Sequence, residues 1–100
     1  TVAVDEDIAM EWARIPHFYS SFYVYKYATG FSAATAIAEK IITEGKPAVD
    51  KYIEFLKSGG SNYPLELLKK AGVDLSSPQP VQDALDVFEK TLNELEELLK

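Results

Sequence analysis

The sequence contains no cysteine and a single histidine. The first absence excludes a disulfide framework, a thiolate zinc site, an iron–sulfur cluster and a cysteine nucleophile. The second excludes any metal site built on two imidazoles, such as H-E-x-x-H, from one copy of the chain. Chemistry here has to come from oxygen donors and one imidazole. No apolar run reaches the roughly 18 residues of a membrane span, and no charged-then-apolar signal peptide opens the chain, so the expected compartment is the cytoplasm. Basic side chains are few, 10 against 16 acidic ones for a net charge of −6, which disfavours binding to nucleic acid or an anionic membrane. Methionine occurs once, at Met10, and the chain opens on Thr1, a start that suggests truncation. Its 100 residues, 47% hydrophobic, suffice for one domain or a piece of one.

What is present is helical periodicity between proline and glycine breaks, so an all-α architecture of about five helices is expected. Residues 4–14 set Ile8 and Trp12 at helical spacing, with Asp5, Glu6 and Asp7 in the first turn, where the helix dipole favours negative charge. Pro16 suits the first position of a second helix predicted to run to about Thr43 and to stop at Gly45-Lys46-Pro47. Gly30 either bends that helix or admits a close neighbour. Val49, Tyr52, Ile53 and Leu56 predict an amphipathic helix from Pro47 to Lys57, ended by Ser58-Gly59-Gly60. A two-turn helix follows from Pro64 to Ala71, capped by Gly72. The last helix, from Pro78 or Pro80 to Leu99, carries Val81, Ala84, Leu85, Phe88, Leu92, Leu95 and Leu99 on one stripe, which predicts one packed and one wet face.

The least ordinary segment runs from His17 to Phe31 and holds the histidine, four of the six tyrosines and three of the five phenylalanines. On one continuous helix, Tyr19, Tyr23 and Tyr27 share a flank, while Phe18, Phe22, Tyr25 and Thr29 share another. One flank has to be buried; the other suits a cleft in which phenols and an imidazole donate hydrogen bonds to an oxyanion. Composition and spacing alone nevertheless favour packing over chemistry for these side chains. Lys26 among the aromatics is placed to make a cation–π contact or to pair with a carboxylate, but snorkelling to solvent is the favoured reading. The acidic residues read as dipole pairing and solvated helix face. Ser20, Ser21 and Ser32 have no G-x-S-x-G setting, and Gly59-Gly60 has no phosphate-loop lysine behind it.

Two strings change this balance. Arg14-Ile15-Pro16-His17-Phe18-Tyr19, continuing through Phe22-Tyr23-Val24-Tyr25-Lys26-Tyr27-Ala28-Thr29-Gly30-Phe31-Ser32-Ala33-Ala34, resembles the region just downstream of the zinc site in the oligoendopeptidase F family. Tyr52-Ile53-Glu54-Phe55-Leu56-Lys57-Ser58-Gly59-Gly60-Ser61, followed by Tyr63-Pro64 and Leu67-Leu68-Lys69-Lys70-Ala71-Gly72-Val73-Asp74, does so as well. The resemblance covers nearly the whole chain. It implies an almost wholly helical zinc metallopeptidase, similar to thimet oligopeptidase, that encloses a channel for short peptides. Residues 1–100 would be the C-terminal helical portion of its catalytic domain.

The resemblance further implies that zinc is bound by residues absent from this chain, which contributes no metal ligand, and that a histidine and a tyrosine-rich helix face the metal across the channel. The match falls on His17 and Tyr25 as transition-state and substrate ligands, with Tyr23 and Tyr19 as further substrate-binding candidates; Tyr25 is favoured as the oxyanion donor. The implied partners are short peptides and the remainder of the peptidase domain. The 100-residue chain alone is expected to be inactive and to self-associate through apolar surface that its missing half covers. The alternative is a non-catalytic helical interaction module, whose aromatic flank is an interface for another subunit.

Overall fold

The computed structural model describes residues 3–100. It is helical throughout its ordered elements, as expected: two 3₁₀ segments, Glu6–Arg14 and Pro16–Tyr19, precede four α-helices, α1 (Tyr25–Glu44), α2 (Lys46–Ser58), α3 (Pro64–Lys70) and α4 (Gln79–Leu98). No strand occurs among the described residues.

The first segment starts where the acidic cluster predicts. The Asp5 side chain accepts a hydrogen bond from the Asp7 backbone N–H at 3.1 Å, and Glu6 and Asp7 occupy the first turn. It is wound as a 3₁₀ rather than an α-helix. Ile8, Met10 and Trp12 all remain exposed, and a short helix without a packed apolar face lacks the tertiary support that stabilises α geometry.

The predicted helix from Pro16 to Thr43 is interrupted. Its first turn is the separate 3₁₀ piece Pro16–Tyr19, followed by extended backbone at Ser20 and turns through Val24 before α1 begins at Tyr25. The break is centred on Phe22, whose φ of 56° is the single left-handed non-glycine conformation among the described residues. No L residue in that conformation continues a right-handed helix.

α1 is rich in alanine, and its buried residues Ser32, Ala33 and Ala36 are all small, which lets neighbouring helices approach its backbone. α4 and α2 both pack against it, and α3 packs against α2. Gly45 takes φ 69° and donates its N–H to the Ile41 carbonyl, closing α1; Lys46-Pro47 then opens α2. No other group lies within 4 Å of the place a Cβ on Gly30 would occupy, so Gly30 serves no close helix contact here.

α3 ends in a Schellman arrangement. Gly72, at φ 84°, donates to the Lys69 carbonyl at 3.0 Å, and Val73 donates to the Leu68 carbonyl at 3.1 Å. The motif turns Val73 inward, where it is only 2% exposed and packs with Ala33, Ala36, Ile37, Leu68 and Leu75 as the core. Burying that valine contributes about 1.5–3 kcal/mol.

α4 departs from the predicted two-faced helix. Pro80 and Ala84 are buried, but the stripe beyond them stays open, with Leu85, Phe88, Leu92 and Leu95 all exposed. Only the first turns of α4 find packing partners of any depth.

Candidate functional site

Breaking the long helix at Phe22 changes which aromatic side chains meet. The chain reverses between Tyr19 and Tyr25 and lays the His17 ring against residues of the turn and of the first turn of α1. The His17 and Tyr23 rings are 4.9 Å apart between centroids, His17 and Tyr27 5.8 Å, and Tyr23 and Tyr27 6.4 Å edge-on. The Tyr27 hydroxyl lies 3.5 Å from His17 Nδ1, at the long limit of a hydrogen bond. Lys26 places its ammonium 3.4 Å from the centre of the Tyr23 ring, the cation–π option among those its sequence setting left open. His17 and Tyr27 remain accessible, and Tyr23 is half-buried.

Of the residues singled out from sequence, His17 and Tyr23 are brought together. Tyr19 is not in this cluster: its hydroxyl donates to the Ala13 carbonyl at 2.7 Å, tying the second 3₁₀ segment to the first. Tyr25 is also outside it. It stands at the start of α1, 64% exposed, on the wall of a groove of about 1290 Å³ between α1, α2 and α3. Tyr25 and Lys26 line the groove, linking it to the histidine cluster through neighbouring positions of one helix turn. Farther along, its lining includes Thr29, Gly30, Ile37, Tyr52, Phe55, Tyr63 and Leu68.

Tyr27, read from sequence only as sharing a flank with Tyr19 and Tyr23, is a full member of the histidine cluster. The groove's far wall, Tyr52 stacked on Phe55 at 6.3 Å with Tyr63, was legible only as amphipathic helix and turn.

The described residues do not fit a zinc ion. No group of three or more histidine or carboxylate side chains among them could hold a metal. No helix among them is long and apolar enough to cross a membrane. The site offers phenol donors, one imidazole, the Lys26 ammonium and apolar surface.

Set against known families, the chain matches the model of Peptidase family M3 over residues 2–87. The chain belongs to that family. Among curated proteins it is 58% identical over 98 residues to Oligopeptidase PepF of Bacillus subtilis (strain 168), covering 98% of this chain and 15% of that protein. It is 52% identical over 94 residues to the plasmid Oligoendopeptidase F of Lactococcus lactis subsp. cremoris, covering 94% and 16%. Group B oligopeptidase PepB of Streptococcus agalactiae serotype III (strain NEM316) is 49% identical over 92 residues, covering 92% and 15%. This M3 chain thus spans about 15% of the length of the relatives it matches, and the resemblance to oligoendopeptidase F read from its two motifs is upheld. No solved structure matches it.

Proposed function

We propose that the whole protein is a zinc-dependent oligoendopeptidase that hydrolyses internal bonds of short peptides in the cytoplasm, and that this chain is the C-terminal helical portion of its catalytic domain. The observation that carries the reading is the 58% identity over 98% of the chain to an oligopeptidase. In this reading zinc is held by residues outside this chain, in keeping with the lack of any group of three or more histidine or carboxylate side chains among the described residues that could hold a metal.

The chain's own contribution is a wall of neutral donors. Attack on a peptide carbonyl places negative charge on its oxygen, and a positioned phenol, uncharged at pH 7, stabilises that charge by donating a hydrogen bond. Tyr25 takes this role: it is accessible, and its hydroxyl makes no hydrogen bond to another described residue. His17 holds the substrate backbone. In the tautomer that leaves Nδ1 to accept from the Tyr27 hydroxyl, the ring's Nε2–H is the free donor, and contacts with the tilted Tyr23 ring and the stacked Tyr27 ring hold the imidazole in place. Tyr23 acts beside them, while Tyr19, bonded to Ala13, offers a substrate only its hydroxyl lone pair. The alternative of a non-catalytic module has the exposed apolar faces behind it, and those suit a piece of a peptidase covered by the rest of its chain equally well.

Steady-state kinetics of Tyr25→Phe in the full-length enzyme test the reading. Loss of one oxyanion donor is expected to lower kcat by about 10²–10³, with the fold unchanged by circular dichroism. An unchanged kcat removes Tyr25 from the role.

A further inference from the structure

The ring contacts of the histidine cluster all fall within residues 17–27, so the chain builds this arrangement from its own segment. A helix running unbroken from His17 to Tyr27 would set the two apart by about 15 Å along its axis. They meet because the chain reverses at Phe22, which holds φ 56° while its own ring is 93% exposed. That conformation is unfavourable for phenylalanine, and packing of the Phe22 ring among the described residues does not offset it. What the reversal accomplishes is the meeting of Tyr27 with His17.

Tyr27 touches the imidazole in two ways. Its ring stacks on that of His17 at 5.8 Å between centroids, with 30° between the planes, and its hydroxyl lies 3.5 Å from Nδ1. Its backbone N–H donates to the Val24 carbonyl at 3.0 Å, so the side chain is carried by the first turn of α1. Tyr23 packs on the same imidazole at 4.9 Å, with the Lys26 ammonium over its ring, but among the described residues only the Tyr27 oxygen hydrogen-bonds to a ring nitrogen. A neutral imidazole has one N–H to give and a ring that can turn over about its last torsion. Which nitrogen it presents to a ligand is therefore undecided until the other is engaged.

We propose that Tyr27 is a positioning residue of the peptidase site, whose hydroxyl engages Nδ1 of His17 and so leaves Nε2–H as the nitrogen presented to the substrate. The inference rests on the substrate-holding role proposed above for His17 and adds the residue through which that role is set. Tyr27 itself need not touch the substrate.

Steady-state kinetics on a quenched peptide test it in the full-length protein, with Tyr27→Phe, His17→Ala and the two combined. Tyr27→Phe keeps the stacked ring and removes only the oxygen. It is expected to lower kcat/KM about 3- to 10-fold, the range of one neutral hydrogen bond, and to have no further effect once His17→Ala is present. A loss by the same factor in both backgrounds overturns the proposal, because Tyr27 then acts independently of His17. An unchanged kcat/KM for Tyr27→Phe alone also overturns it, and if the melting temperature falls at the same time the contact serves stability only. Failure of the underlying reading has its own signature: His17→Ala by itself then leaves kcat/KM at the native value, and Tyr27 has no ligand to position.

Discussion

The Asp74 carboxylate accepts two hydrogen bonds from Ser76, from the hydroxyl at 2.6 Å and the backbone N–H at 2.9 Å. The Ser76 hydroxyl is the larger cause, and together with the N–H and the Lys69 ammonium it holds the Asp74 carboxyl below the usual range. Lys69 is raised in turn, first by its hydrogen bond to Glu66 and then by the charge of Asp74. A carboxyl whose folded pKa is depressed adds stability above its unfolded value and loses it as pH falls through the folded one. The turn between α3 and α4 is therefore expected to weaken as pH drops below about 4, and urea midpoints for Asp74→Asn should lose part of that acid dependence. An identical acid limb in the variant would contradict the assignment. At this same scale the sequence was informative where chemistry alone marks a residue. His17 and Tyr23 stood out by type and setting, and they do touch. Tyr27 was legible only as sharing a flank with Tyr23, because its meeting with His17 depends on where the chain reverses, and that reversal sits at Phe22, a residue type that ordinarily avoids positive φ.

Among the elements, the helices with proline starts and glycine stops were legible almost to the residue. α2 and α3 open on Lys46-Pro47 and Pro64 and close before Gly59 and Gly72, since proline and glycine act locally and need no tertiary partner. The helix predicted from Pro16 to Thr43 was not, because nothing in Ser20-Ser21-Phe22 forbids a helix as firmly as proline does. The Schellman closure of α3 makes a sharp prediction. Gly72→Ala puts a Cβ on a residue at φ 84°, which costs about 1–2 kcal/mol, and it loosens the Val73 anchor of the core. Thermal unfolding of the full-length protein should report the loss, and a variant of unaltered stability would mean that the motif does not hold Val73 in place.

As a whole molecule the chain is too open for its mass. Its radius of gyration is 17.6 Å, against about 13 Å for a compact domain of this length. Its accessible surface is 8105 Å², against about 5,700 Å² expected at this mass. The buried residues are small, apart from Leu67 and Val73, while Trp12, Phe22, Phe31, Phe88 and the α4 leucines lie exposed. Such a surface is what a piece of a larger helical enzyme presents when its cover is elsewhere, in keeping with relatives of which it spans about 15%. Soluble monomers rarely carry apolar patches so large. Light scattering of the purified chain is therefore expected to give a mass above the 11.1 kDa monomer, and Phe88→Glu with Leu92→Glu to shift it downward; a plain monomer would contradict the account.

The central claim is that these 100 residues form an indispensable wall of a peptidase site whose metal-holding half lies elsewhere in the polypeptide. Cleavage of a quenched peptide by the full-length enzyme, by the enzyme lacking this segment, and by the segment alone tests it most directly. The account predicts zinc-dependent cleavage by the first and none by the other two. Turnover at the full rate without the segment, or any zinc-dependent turnover by the segment alone, would contradict it.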